Sequence, residues 1–483
     1  MPSVRKSIVI SFAEKYSTLL IGFVGIMLIA RLLTPAEIGL YSVAAAITGI
    51  AQMLRDFGVG NYLIQEKKLT KDRVRAALTI TMLTSWVAGA VLYFSRHLIA
   101  SFYAESAMVQ LIEIQCINFL LIPFTAPILA LLRREMKFAI LLRINIVCAL
   151  IQLTVSLSLA SSGYGYLSLA WASVANVSCM MLLVNAHRPK DAWVMPGFKE
   201  WRRIANFGFQ ASLSAILTEI AMNMSDLILG RFLGFQAVAF YSRAQGLVYL
   251  FHRDMMEAVR KVALPAFAQA VRKDMDLLQS YLQSVNYVTV FAWPFYAFLG
   301  LYAHTIIDLM FGKQWSAAVP YVRILVFAGA IGALWNLSSN ALMAMGHINK
   351  ILRSELIVQS VRIALLFYAA QISIDMTCYA LIIVYFLNLL VTLKYLKQAI
   401  GLKFYKLLIS NINSLFVCVM SMVIPILSFF YLPEKVDDIT EFFVSGIGFS
   451  LGWIIGVSIC RHPIYFELKR IFIKEKPIVE INN

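Results

Sequence analysis

The chain has 483 residues, of which 60% are hydrophobic and 14% are charged, and its formal net charge is +16. Soluble domains carry about 25% charged residues, so this composition excludes an ordinary soluble protein. The basic excess does not indicate a nucleic-acid partner, because membrane proteins concentrate Lys and Arg in their cytoplasmic loops.

Apolar segments of about twenty residues, each long enough to cross the hydrocarbon of a bilayer, recur along the whole chain. They predict an all-α integral membrane protein with about fourteen transmembrane helices and almost no soluble domain. The eighth segment is the least apolar, since it contains Arg243, His252 and Asp254. The predicted spans are 7–30, 39–63, 76–95, 109–132, 141–161, 165–186, 206–230, 239–262, 283–303, 319–344, 352–371, 377–393, 407–431 and 441–460.

The distribution of basic residues tests this number of helices. With a cytoplasmic N-terminus and fourteen spans, about three quarters of the 42 Lys and Arg residues fall on the cytoplasmic side. Removing the eighth span would reverse every later loop and destroy the asymmetry. We therefore predict an even number of helices and two cytoplasmic termini. The basic residues on the opposite side are Arg31, Arg96, Arg231, Lys313 and Lys435.

Cysteine pairs, HExxH and Walker motifs do not accompany these helices. The six cysteines lie inside apolar segments without a CxxC pair. A membrane glycosyltransferase, polymerase or ligase would need acidic or histidine groups on a large extracytoplasmic loop. The longest such loop, about 304–318, offers only His304 and Asp308. We expect no enzyme activity, no metal and no cofactor.

An internal repeat divides the chain. Residues 30–42 close the first predicted helix and open the second, and residues 230–242 do the same for the seventh and eighth, with Arg, Leu, Tyr and Ser in register. The first six predicted helices thus correspond to the next six, and both sets have the same orientation in the membrane. Transporters whose halves are related by an axis along the membrane normal have this organisation. This organisation predicts an N-terminal lobe over 1–203, a second lobe over 204–398, and two additional helices with a tail over 399–483.

The same segments resemble a known family. The string from Arg31 to Tyr41, RLLTPAEIGLY, is similar to the first-loop signature of bacterial polysaccharide exporters. Asp56-Phe57-Gly58-Val59-Gly60, Asp226-Leu227-Ile228-Leu229-Gly230-Arg231 and Phe311-Gly312-Lys313-Gln314-Trp315 resemble later family segments. The resemblance covers nearly the whole chain and is strongest to the Wzx-type, colanic-acid-exporter-like branch. Ala239 departs from the first repeat, which has Gly39 at the equivalent position.

The resemblance implies the fold of the multidrug/oligosaccharidyl-lipid/polysaccharide exporters, which is two six-helix lobes in a V with a pseudo-two-fold along the membrane normal and two further C-terminal helices. It also implies the function of flipping undecaprenyl-pyrophosphate-linked oligosaccharide across the bacterial inner membrane. Expected partners are that lipid-linked substrate, membrane lipid, a proton or sodium counter-ion and polysaccharide polymerase machinery. The alternative within the same fold is an ion-coupled drug or cation antiporter.

Ionisable residues inside the predicted spans are the candidate functional groups, because each costs about 2.5–3.5 kcal/mol in hydrocarbon unless it faces a cavity or a partner. Arginine forks suit phosphate oxygens, and a carboxylate in low dielectric can exchange protons near neutral pH. The candidate substrate contacts are Lys15, Arg55, Arg243, Arg323 and Arg362. The candidate ion-coupling groups are Glu14, Asp56, Glu219 and Asp226.

Each candidate has a structural alternative. For Lys15 the alternative is neutralisation of Glu14, and for Arg55 it is an ion pair with Asp56. Arg362 lies near the end of its span, where a long side chain can reach the interface. Stripes of small residues beside the carboxylates are also typical of close helix packing. The aromatic residues Tyr41, Tyr241, Trp171, Trp293 and Trp335 are candidates for stacking on sugars, with interfacial anchoring as the alternative.

Overall fold

The computed structural model describes residues 4–56, 58–189, 195–202, 204, 220, 223–431 and 438–473. The regular structure assigned within these ranges is helical, which confirms the predicted all-α class. A bilayer leaves no water for backbone N–H and C=O groups, so helices that satisfy these groups internally are the expected solution. All six cysteines are free.

Clustering of contacts divides the chain into two compact units, residues 1–239 and 240–483. The helices of the first unit are α1 Val4–Leu32, α2 Pro35–Asp56, α3 Val59–Gln65, α4 Lys71–Tyr103, α5 Ala107–Leu121, α6 Ala126–Arg134, α7 Phe138–Ser161 and α8 Leu167–Ala186. Helix α1 packs against α7, α4 packs against α2 and α5, and α8 packs against α5 and α7. A cluster of buried side chains that includes Leu63, Ala77, Leu132 and Leu141 joins α3, α4, α6 and α7.

Helix α9 begins in the first unit and continues into the second. The remaining helices are α9 Phe235–Leu250, α10 Met256–Arg272, α11 Leu277–Leu301, α12 Ala303–Phe311, α13 Val319–Gly332, α14 Ser338–Ala344, α15 Ile348–Ala369, α16 Ile374–Ile400, α17 Phe404–Ser410, α18 Ile412–Tyr431, α19 Asp438–Ile459 and α20 Pro463–Ile473. A π-helical turn, Phe251–Met255, separates α9 from α10, and a 3-10 segment, Lys313–Ala318, separates α12 from α13. Helix α11 packs against α13 and α18, and α16 packs against α13 and α15.

Eleven helices of the described residues are long and apolar enough to cross a membrane, and each coincides with a predicted span. Large apolar side chains on them face outward, as a lipid-exposed surface requires; Phe94, for example, is 77% exposed. The eighth and eleventh predicted spans are helical but do not meet the same criterion. The seventh lies mostly outside the described residues. Fourteen spans, the V and the two-fold symmetry stay predictions.

Polar contacts from the middle and the C-terminal end of α11 hold the last two long helices, α18 and α19. Just after α11, the Tyr302 hydroxyl lies 2.6 Å from Ser445 Oγ and 3.2 Å from Glu441 Oε1. In the middle of α11, Thr289 Oγ1 donates at 2.6 Å to Oδ1 of Asn411, the residue before α18. Next to it, the Trp453 indole N–H donates to the Val290 carbonyl at 2.9 Å. These helices are therefore fixed to one helix of the second unit by hydrogen bonds that are strong in a low dielectric.

The start of α20 is capped by a fully buried histidine, His462. The Ile464 backbone N–H donates to His462 Nδ1 at 3.2 Å, so Nδ1 carries no proton. The other ring nitrogen, Nε2, therefore donates to Ser414 Oγ at 3.2 Å. This arrangement fixes the neutral imidazole, and burial lowers the pKa of His462 to about 4.

This cap predicts an acid-sensitive contact. The unfolded chain takes up a proton at His462 below about pH 6.5, whereas the folded chain does so only near pH 4. The stability contributed by the neutral imidazole is therefore present above pH 6.5 and is lost as the pH falls toward 4. The melting temperature of the purified protein should drop more between pH 7 and pH 5 than that of His462→Gln. An equal drop in both proteins would contradict the account, and His97→Gln, at an exposed position, is the matched control.

Candidate functional site

The family-like loop between α1 and α2 is a helix-capping device. The backbone N–H of Thr34 donates to Glu37 Oε2 at 2.8 Å, and the Glu37 N–H donates to Thr34 Oγ1 at 3.4 Å. This reciprocal pair is a capping box. Pro35 occupies the first helical position, where its missing N–H costs nothing. The Thr-Pro-Ala-Glu string therefore fixes where α2 begins.

The two copies of the repeated segment meet inside the first unit. A methyl group added to Gly39 would collide with the backbone carbonyl of Phe235. In turn, a methyl group added to Gly230 would lie 2.7 Å from Val43. Glycine at these positions lets the backbones approach closely. Ala239, which replaces glycine in the second copy, is 1% exposed.

In the first unit, the charges of α1 lie beside α7. Glu14 accepts a hydrogen bond from the side-chain amide of Asn145 on α7, and both Glu14 and Lys15 are half-buried. Arg55, near the end of α2, is buried, and its backbone carbonyl accepts a hydrogen bond from Thr84 on α4 at 2.9 Å. The sequence pattern did not identify Asn145, which supplies a polar partner for Glu14.

The other predicted ion-coupling residues are only partly described. Asp226 is half-buried on a helical stretch, 223–232, of the first unit. The side chain of Asp56 and the whole of Glu219 lie outside the described residues. The coupling roles of Glu14, Asp56, Glu219 and Asp226 remain predictions.

Arg243, on α9, lies against two aromatic rings. Its guanidinium carbon is 5.4 Å from the centre of the Phe311 ring and 5.2 Å from that of Trp315. Trp315 is fully buried. Gly312, with φ 96°, ends α12 and allows the chain to turn so that both rings reach Arg243. Phe311 and Trp315 of the Phe-Gly-Lys-Gln-Trp string therefore form cation–π contacts with the Arg243 guanidinium.

Three tyrosines lie around Arg362, a fourth lies near one of these three, and we call the four the tyrosine cluster. The side-chain amide of Gln245 donates to the hydroxyls of Tyr241 and Tyr249, each at 3.1 Å. Arg362, half-buried on α15, lies beside the Tyr249 hydroxyl. Its Nε and Nη2 atoms are buried without a hydrogen-bond partner among the described residues. The cluster consists of Tyr241, Tyr249, Tyr296 and Tyr385.

Tyr385, on α16, also contacts two further rings. The ring of Trp335 lies edge-on at 5.8 Å, and its buried indole N–H has no hydrogen-bond partner within the described residues. The centre of the His252 ring lies 6.4 Å from that of Tyr385. Tyr385 therefore lies near N–H donors of Trp335 and Arg362 that have no hydrogen-bond partner among the described residues, an arrangement that can receive an anionic or hydroxyl-rich group.

Arg323, on α13, is the exposed member of the predicted set. It lines a cavity of about 610 Å³ between α11, α13 and α18. The other walls are almost entirely apolar and include Phe327, Cys418 and Met422. A cationic group beside an apolar wall suits an amphiphile, which has an anionic end and a hydrocarbon chain.

The structure thus places Arg362 beside the tyrosine cluster, Arg243 against the Phe311 and Trp315 rings, and Arg323 separately in the wall of the apolar cavity. The sequence analysis did not identify Tyr249 and Gln245 as site residues. A signal for them exists, since Tyr241, Gln245, Tyr249 and His252 recur at helical spacing along one face.

The fold matches that of a solved transporter. The structure of "Lipid II flippase MurJ, inward closed conformation" aligns with a TM-score of 0.75 and 14% identity, covering 96% of this chain and 100% of that chain. The protein is therefore a multi-pass helical membrane protein with the MurJ fold.

Sequence comparison assigns the family. A model described as "Polysaccharide biosynthesis protein" matches residues 28–320, more than half of the chain, so the chain belongs to this family. The teichuronic acid biosynthesis protein TuaB of Bacillus subtilis (strain 168) is 26% identical over 369 residues, covering 72% of this chain and 73% of TuaB. The lipopolysaccharide biosynthesis protein WzxC of Escherichia coli (strain K12) is 20% identical over 467 residues, covering 94% of each chain.

The contact at Gly39 predicts the effect of one methyl group. Gly39→Ala should destabilise the protein by about 1–3 kcal/mol, the usual cost of overpacking, because the new methyl meets backbone rather than a movable side chain. Gly22→Ala, on α1, is the control, since an added Cβ there has no heavy atom within 4 Å. Melting temperatures in detergent compare the two. Equal stability of Gly39→Ala and the wild type would contradict the close approach.

Proposed function

We propose that this protein is a transporter that flips undecaprenyl-pyrophosphate-linked oligosaccharide across the bacterial inner membrane by alternating access, for the synthesis of surface polysaccharide. The observation that carries the proposal is Arg362, which has two buried, uncommitted N–H donors among tyrosines of a helical membrane unit. The family assignment and the names of TuaB, WzxC and MurJ support the same class of substrate.

The chemistry of such a substrate matches these groups. A pyrophosphate is an anion with several acceptor oxygens, and a guanidinium can donate to two of them at once. Inside a water-poor bundle each such hydrogen bond is stronger than in water. Tyrosine hydroxyls and the Trp335 indole N–H supply further donors for phosphate or sugar oxygens. The apolar cavity beside Arg323 offers a wall of the kind that a polyprenyl chain would contact.

Two alternatives are a transporter of drug cations and a membrane glycosyltransferase or ligase, and neither fits as well. A transporter of drug cations requires acidic groups to replace the cation's hydration, whereas the described part of the tyrosine cluster presents Arg362 and neutral phenols. A membrane glycosyltransferase or ligase would need a catalytic carboxylate or histidine at an extracytoplasmic loop. We therefore favour transport without an enzymatic step. The proposal includes two further parts. Transport is coupled to a proton or sodium ion through the candidate carboxylates, and the protein works with polysaccharide polymerase machinery.

We also propose that both termini are cytoplasmic, because this orientation places most Lys and Arg residues on the cytoplasmic side. Alkaline phosphatase, a reporter that is active only outside the cytoplasm, should be inactive when fused after Asn483. The same reporter inserted beside Lys435 should be active, which makes that fusion the matched control. Strong activity at the C-terminus would overturn the orientation.

Substitution of the central arginine tests the proposed function in cells. Arg362→Ala should reduce surface polysaccharide by about 10- to 100-fold, since a hydrogen bond to a charged group is worth about 1.5–3 kcal/mol. Lipid-linked precursor should accumulate, and Lys15→Ala should act in the same direction. Both quantities are measured in a strain that depends on this transporter.

Arg353→Ala provides the control on the same helix, because Arg353 is exposed on α15. It should leave both quantities near wild type at equal protein level in the membrane. Normal polysaccharide in Arg362→Ala at that level would count against an anion site at the tyrosine cluster.

A further inference from the structure

A histidine in the second unit occupies a place that its packing makes unusual. His252 lies in the π-helical turn Phe251–Met255, between α9 and α10. Such turns widen a helix and often occur at functional sites. The turn brings the imidazole against Tyr296 of α11, Gly332 of α13 and Tyr385 of α16. One side chain therefore contacts three other helices.

Glycines on α13 make room for this contact. A methyl group added to Gly332 would collide with His252 Nε2, and one added to Gly329 would lie 2.5 Å from the Tyr296 ring. The two glycines are one helical turn apart, so they present one smooth face to the histidine and the tyrosine. The imidazole consequently packs against backbone.

The hydrogen bonds around Tyr296 determine which ring nitrogen carries the proton. The Tyr296 hydroxyl lies 2.7 Å from His252 Nδ1 and 3.2 Å from the Val248 carbonyl oxygen. A carbonyl only accepts, so both bonds form together when the hydroxyl donates to Val248 and Nδ1–H donates to the hydroxyl. This assignment, made from the hydrogen-bond network, leaves a lone pair on Nε2.

That lone pair is buried and has no hydrogen-bond partner among the described residues. The charged and titratable groups around it are Tyr296 from α11, Tyr385 from α16, and Arg260 with Glu257 from α10; α13 presents Gly332. The side chains of Arg253 and Asp254 in the turn lie outside the described residues.

Two features keep a proton from reaching Nε2 in this conformation. The atom is buried against the Gly332 backbone, and the Arg260 guanidinium, which donates to the His252 carbonyl at 3.4 Å, places a positive charge nearby. Arg260 is itself held by Asn336 Oδ1 at 2.7 Å. A proton can therefore bind at Nε2 only when the turn opens to water. Proton binding and opening then favour each other by linkage.

We infer that His252 is the proton-binding group of the transport cycle: Nε2 accepts a proton from water on one side of the membrane and returns it to water on the other as the second unit changes conformation. This inference rests on the proposed flippase function. It places the ion-coupling group on a histidine of the eighth predicted span, in addition to the carboxylates that the sequence analysis selected. Tyr296 is its positioning residue.

The experiment uses the full-length protein in liposomes, with a fluorescent polyprenyl-pyrophosphate-linked N-acetylglucosamine as the probe. Its distribution between leaflets is measured with and without a gradient of one pH unit. If one proton is exchanged per lipid, the gradient should change the wild-type ratio by up to about tenfold. His252→Gln should still equilibrate the probe but lose the effect of the gradient. His304→Gln, at an exposed position on α12, should behave as wild type.

A second variant keeps the test decisive if His252→Gln folds poorly. Tyr296→Phe retains the ring but removes the hydroxyl that binds Nδ1, so the pH at which the gradient effect is half-maximal should shift. Retention of the wild-type effect by His252→Gln, or an unshifted profile in Tyr296→Phe, would overturn the inference.

A wild type that equilibrates the probe without responding to pH would also overturn the inference while leaving the flippase function intact. A wild type that moves no probe under either condition would contradict the proposed function, and the inference would fall with it.

Discussion

A charged side chain in the hydrocarbon of a bilayer costs about 2.5–3.5 kcal/mol on insertion scales. In this protein, charged residues of the helices have polar, charged or aromatic neighbours that reduce this cost. Glu14 is met by the amide of Asn145, and Arg260 by Asn336. Glu113, in the fourth predicted span, pairs with Arg96 at 2.8 Å. Arg243 is set on aromatic rings. Compensation by neighbours therefore explains most of these charges without any ligand.

Arg362 is compensated less completely than these charges. Two of its nitrogen atoms are buried without a partner in the described part of the chain, and so is the indole nitrogen of Trp335. A buried donor without an acceptor costs about 1–3 kcal/mol. Such a cost is sustained where a substrate supplies the acceptor, and a pyrophosphate oxygen is an acceptor of this kind. The His252 ring lies 6.4 Å from Tyr385 of the tyrosine cluster, so the proposed anion site and the proposed proton site would both contact Tyr385.

The parts of the fold that depend on local properties were predictable from the sequence. Hydrophobic length marks a span directly, and eleven predicted spans coincide with apolar helices. The eighth span was predicted from the charge of its loops, but the π-helical turn at Phe251–Met255 was not, because such a turn depends on how His252 packs against other helices. The two lobes were predicted only from the short repeat and the V only from the family resemblance, and both stay predictions.

For the candidate site, the sequence identified the ionisable residues but not their surroundings. Arg243 and Trp315 are far apart in the chain, and no local pattern pairs them. Gly39 and Phe235 likewise meet only through the fold. By contrast, Tyr241, Gln245 and Tyr249 recur at helical spacing in the sequence. Tyr241 was a candidate for stacking on sugars, but Gln245 and Tyr249 were not selected, because only the charged residues were judged by their cost in hydrocarbon.

The central claim is that this chain itself moves a lipid-linked oligosaccharide between leaflets. The direct measurement is the access of a membrane-impermeant quencher to a fluorescent polyprenyl-pyrophosphate-linked oligosaccharide in liposomes that contain only the purified protein. The account predicts that probe in the inner leaflet becomes accessible much faster than in protein-free liposomes, and that unlabelled lipid-linked oligosaccharide competes. An inner-leaflet probe that stays as protected as in protein-free liposomes would contradict it.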